Sequence, residues 1–142
     1  MAQTISVDSK TVIIKSENES ELFEIIKYVD QRKKIKNLTK LHEYSQLEKN
    51  WDSEGAKPFA KELINHAWEI ILRLDIQPEI FPTMRESIQL EYEKDNGDYL
   101  EFEIYEDRIE VFEIIAKNER EYNVYATNDL NGIVNEFQRR DG

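Results

Sequence analysis

Cysteine is absent from this chain, and 142 residues contain only 4 glycines, 3 prolines and 2 histidines. Without cysteine there are no disulfides and no thiolate metal sites. So few glycines leave no phosphate-cradling loop, and no serine sits in a nucleophile elbow. No apolar run approaches the roughly 20 residues that a membrane-crossing helix needs. The opening residues MAQTISVDSK lack the basic-then-apolar pattern of a secretory signal, so the cytoplasm is the expected location.

The two histidines do not assemble a metal site. His42-Glu43 starts like a zinc-protease helix, but Gln46 stands where the second histidine ligand would be. His66 lies between Glu62 and Glu69 on the polar side of a helix. Asp95-Asn96-Gly97-Asp98 has the residue types of a calcium loop but not its length, and a hairpin turn accounts for it. Neither a metal nor any other cofactor is expected.

What the chain has in excess is acid: 30 Asp and Glu against 19 Lys and Arg, a formal charge of −11. Residues 86 to 121 hold 13 acids and 4 bases, a net of −9 within a quarter of the length. Residues 30 to 49 hold 6 bases and 3 acids, a net of +3. Such a field repels nucleic acid and anionic membranes and attracts basic proteins.

The acid is patterned. From Ile88 to Val111, apolar and acidic letters alternate with the period of a strand. Ile88, Leu90 and Tyr92, then Leu100, Phe102 and Ile104, form one face. Glu91, Glu93, Glu101 and Glu103 form the other, and Glu110 extends it on the next strand. Keeping the apolar residues opposite one another requires an odd-numbered hairpin loop. Asn96-Gly97-Asp98 is the three-residue candidate, which sets Glu93 against Glu101 and Glu91 against Glu103. Ile109 and Val111 begin a third strand, and Tyr122 to Ala126 a fourth.

Helices are expected around this sheet. One is opened by Ser16, with Glu19 completing a capping box and with Leu22, Ile25, Ile26 and Val29 as an apolar stripe. It closes in the basic segment Arg32 to Lys36. A weaker second helix runs from Leu38 to Glu48. The strongest runs from Phe59 to Leu74, burying Ala60, Leu63, Ile64, Ala67, Ile71 and Leu74, with Trp68 and Ile70 widening that face. A last short helix near Asp129 to Gln138 offers Leu130, Ile133, Val134 and Phe137. Residues 4 to 15 read as a strand or small hairpin around Asp8-Ser9-Lys10, and Pro78 and Pro82 mark an extended connection. The fold class is α+β: one domain, 1–142, with an antiparallel meander of about four strands and helices packed on one face.

The loop Asn50-Trp51-Asp52-Ser53-Glu54-Gly55-Ala56-Lys57-Pro58 is too particular to come from patterning. With the helix after it, Pro82-Thr83 and Ile88-Gln89-Leu90-Glu91-Tyr92, it resembles the tryptophan-aspartate-glycine-alanine signature of a family of small uncharacterised bacterial proteins. The resemblance covers roughly residues 47 to 104. Ser53 and the Arg85-Glu86-Ser87 turn depart from it, since the family often has glycine there. It implies a bacterial source and this order of elements, and no reaction. In physical terms, Trp51 plugs a gap beside the sheet, Asp52 accepts backbone amides and Gly55 takes a positive φ.

Like charges facing each other across strands cost stability that solubility alone does not require. The leading expectation is therefore a non-catalytic, acidic protein-binding module. It presents Glu91, Glu93, Glu101, Glu103 and Glu110 to a basic protein partner, with an immunity protein or antitoxin masking a toxin as its most concrete form. The alternative is a small-ligand binder or carboxylate-dependent enzyme with its site near Trp51 and Asp52. Self-association through an exposed edge strand, giving a homo-oligomer, is the third.

Overall fold

Alternating apolar and polar letters build strands whose apolar sides need a cover, and helices supply it on one side here. The structure is a computed structural model and describes residues 2–7, 10–15, 18–125 and 129–140. Strands β1 (Ala2–Val7) and β2 (Lys10–Lys15) form an antiparallel two-stranded sheet. Helix α1 (Glu19–Ser45) and helix α2 (Lys61–Arg73) follow. Then comes a five-stranded antiparallel meander of β3 (Glu79–Pro82), β4 (Ile88–Glu93), β5 (Tyr99–Ile104), β6 (Ile109–Ile115) and β7 (Asn118–Val124), and finally helix α3 (Asp129–Arg139). The α+β class is as expected. The meander has five strands rather than about four, because the Pro78–Pro82 connection pairs with β4 as a short edge strand.

One contiguous core fills the inner face of the sheet. Ile88, Leu90 and Tyr92 of β4 and Leu100, Phe102 and Ile104 of β5 meet Leu63, Ala67, Ile70 and Ile71 of α2, Leu41 of α1, and Leu130, Val134 and Phe137 of α3. Tyr92 and Phe102 pack edge to face, ring centres 6.4 Å apart, and the Tyr92 hydroxyl donates to the Ile76 carbonyl.

The two helices expected before Trp51 are one helix of 27 residues. Nothing between Arg32 and Leu38 breaks it, and its basic segment lies mid-helix rather than in a last turn. Those cations dock it: Lys33 pairs with Glu79 at 3.4 Å, and Lys34 donates to the Leu72 carbonyl near the negative end of α2. The cap is Asn18, whose side chain accepts from the amides of Ser20 and Glu21. Ser16 and the Asp8-Ser9 turn lie outside the described residues.

The stripe Leu22, Ile25, Ile26, Val29 is not buried. Only Asn37 and Leu41 of α1 are, since the first half of the helix runs past the core. Asn37 does what patterning could not show. Its amide donates to Gln77 Oε1 and the Pro78 carbonyl, both at 3.0 Å, while Gln77 donates to the carbonyls of Ile71 and Leu74. This buried relay satisfies the end of α2.

The hairpin register differs from the expected one. Gly97, at φ +95°, takes the last of three loop positions, Asp95-Asn96-Gly97, and Lys94 and Asp98 close the loop by a backbone bond of 2.9 Å. That geometry reserves the left-handed position for glycine. The loop length is odd, as the pattern demands, but the loop begins one residue earlier. Glu91 therefore faces Glu101, Gln89 faces Glu103 and Glu93 faces Tyr99.

Candidate functional site

The outer face of the meander gathers the predicted carboxylates. Strand pairing puts Glu91, Glu93, Glu101, Glu103 and Glu110 on one side, with Glu79 of β3 and Glu119 and Glu121 of β7 beside them. Phe81, Tyr99, Phe112 and Ile114 share this face, so it is an acidic surface set with aromatic and apolar side chains. Phe81 is 42% exposed.

The five predicted glutamates fall into two groups. Glu103 is only 8% exposed, and its Oε1 accepts from Arg85 Nε at 2.6 Å and Ser87 Oγ at 2.7 Å. Burial pushes its carboxyl up, but hydrogen bonds from Ser87, Arg85 and Tyr105 outweigh that and hold its pKa below the usual range. Glu110 accepts from Arg108 Nε at 2.9 Å. The chain thus answers these two charges itself, and Glu103 has little surface left to offer a partner.

Glu91, Glu93 and Glu101 form no ion pair among the described residues, although Gln89 Nε2 donates to Glu91 Oε1 at 2.7 Å and the Arg85 charge acts on Glu101 from a distance. Glu93 is exposed at the end of β4. Glu91 and Glu101, directly opposite each other, both accept from the hydroxyl of Tyr99, at 2.7 and 2.8 Å. Partial burial and the nearby charges of Glu91 and Glu103 raise the Glu101 carboxyl above its ordinary value, although the Tyr99 bond and the Arg85 charge oppose this. Burial and the two carboxylates also push the Tyr99 phenol far up, so it stays protonated and donating. A neutral donor between two anions reduces their repulsion without cancelling their charge.

No family model, curated protein or solved structure matches this chain.

The loop before α2 is occupied with itself. Asp52 Oδ1 accepts from the amides of Glu54 at 2.9 Å and Ala56 at 3.0 Å, which lowers its pKa. Asn50 Oδ1 accepts from Gly55 N at 2.7 Å, and Trp51 Nε1 donates to the Lys57 carbonyl at 3.0 Å. The Trp51 ring packs 5.6 Å from Phe59, on the core's rim. The groups that would form a pocket at Trp51 and Asp52 are thereby used to shape the loop. Ser53 and Glu86, at the two departures from glycine, have φ of +63° and +58°.

Sequence reasoning missed Tyr99, Arg85, Ser87 and Arg108, the groups that decide which glutamates remain uncompensated. Tyr99 was findable once Gly97 was assigned the last loop position, since that register sets it beside Glu91 and Glu101. Arg85 and Ser87 come from a turn whose path the letters do not specify. Among the described residues, no group of three or more acids or histidines is placed to hold a metal ion, and no helix is long and apolar enough to cross a membrane.

Proposed function

We propose that the chain is a non-catalytic protein-binding module that docks a basic protein surface on the outer face of its meander. An immunity protein or antitoxin covering a cationic toxin surface is the form that best fits this chemistry. The observation that carries the reading is the Glu91–Glu101 pair. Two carboxylates are held opposite each other on neighbouring strands with only a phenol between them, and Glu93 adds a third charge nearby. Cross-strand like charges destabilise a sheet, and a cationic partner relieves them while speeding encounter. The aromatic side chains of the same face supply the contact area that charge alone lacks. Glu103 and Glu110, already answered by Arg85 and Arg108, contribute little charge to this docking.

The test is co-expression with the product of the adjacent reading frame, followed by calorimetry of the purified complex at rising salt. Changing Glu91, Glu93 and Glu101 together to Gln is expected to weaken binding by about tenfold or more and to flatten the salt dependence. A complex that neither salt nor the triple change affects overturns the reading. Glu103 is left intact so that the Arg85 network does not confuse the result.

A further inference from the structure

We infer that the groove between the end of α1 and the start of α2 binds a small planar anion. Helix α1 lines it with His42, Ser45 and Gln46, spaced i, i+3, i+4, and α2 with Lys61, Asn65 and Trp68 on one face. Phe59 and Ile64, both buried, complete the lining of a cavity of about 500 Å³, within the range that holds small molecules.

Three features set the groove apart from the rest of the surface. In a chain with 30 acids, no Asp or Glu lines it. Lys61 faces it and pairs with no carboxylate among the described residues. The lining joins an apolar, aromatic side (Phe59, Ile64, Trp68) to a hydrogen-bonding one. On that polar side Ser45 Oγ donates to the His42 carbonyl at 2.5 Å and Gln46 Nε2 donates to Ser45 Oγ at 3.1 Å. The amide oxygen of Gln46, the imidazole of His42 and the amide of Asn65 remain for a ligand.

These parts recognise one chemistry: a flat ring carrying an anionic group. The ring lies against Trp68 and Ile64, the anion meets the Lys61 ammonium, and His42, Gln46 and Asn65 give directional bonds. A neutral ring leaves Lys61 unanswered, and a small anion without a ring leaves the apolar side wet. The site is separate from the acidic sheet face, so either can fail without the other.

The experiment titrates the full chain with 2-naphthoate, its neutral amide 2-naphthamide and adenosine monophosphate, following tryptophan fluorescence and the Trp68 indole resonance. Saturable binding of the naphthoate or the nucleotide is expected below about 5 mM, with the amide about tenfold weaker. Whichever anion binds shows whether the group is a carboxylate or a phosphate. Lys61→Gln should weaken that anion about fivefold, while Lys61→Arg should hold it within about twofold. The Lys61 side chain is exposed, so an unchanged melting temperature separates lost binding from lost folding. Three results overturn the inference: saturation by neither anion, amide binding as tight as naphthoate binding, or a Lys61→Gln protein that binds like the parent.

Discussion

Backbone conformation at single residues leaves measurable stability unused. Ser53, Glu86, Ala116 and Lys117 all have positive φ, a region that side chains with a Cβ enter at a cost. Ser53→Gly and Glu86→Gly should each raise stability by about 0.5–1 kcal/mol in urea unfolding, because glycine removes the strain at positions already left-handed. A loss of stability on either change would mean that the side chain contributes more than its backbone costs. Gly97→Ala is the converse and should cost about 1 kcal/mol, since open space around the position leaves the φ of +95° as the only penalty. The Asn37 amide is the other single-residue device. Asn37→Ala leaves two buried acceptors without their donor and should destabilise by about 2 kcal/mol.

Among the elements, those written in a strong period were legible and those resting on a particular side chain were not. The apolar letters of α2, β4, β5 and α3 repeat with their own geometry, so their buried faces were readable. The odd loop between β4 and β5 followed from the same alternation, but the register needed the position of Gly97. The continuity of α1 was hidden because its stripe Leu22 to Val29 suggests a short helix ending in basic residues. In fact those bases reach sideways, to Glu79 and Leu72. Likewise, the acidic face was visible as a pattern, while its division into paired and unpaired carboxylates depended on the turn at Arg85 to Ser87 and on Arg108. Breaking that turn should show the difference. Glu103→Ala strips Arg85 and Ser87 of their acceptor and should cost about 1–2 kcal/mol, whereas Glu93→Ala on the same face should change the melting temperature little.

For the whole molecule, the acidic face sets an electrostatic trade between stability and charge that pH should reveal. Glu101 has its pKa raised in the folded chain, so between its ordinary value of 4.5 and that raised value the folded state holds more protons than the unfolded state. Stability must therefore fall as pH rises through this window, by linkage. Glu103 and Asp52 act in the opposite sense. Their folded values are lowered, so what they contribute is present above 4.5 and 3.8 respectively and is lost as pH falls through the folded values. For these three groups stability is therefore greatest near the ordinary glutamate value of 4.5, falling above it through Glu101 and below it through Glu103 and Asp52. Glu101→Gln should raise the melting temperature at pH 7 and flatten the fall in stability that begins above pH 4.5, since the Gln carbonyl still accepts from Tyr99 while the charge opposite Glu91 is gone. If that variant melts lower at pH 7, the facing carboxylates are not a stability cost, and the physical motive for a cationic partner at this face disappears with them.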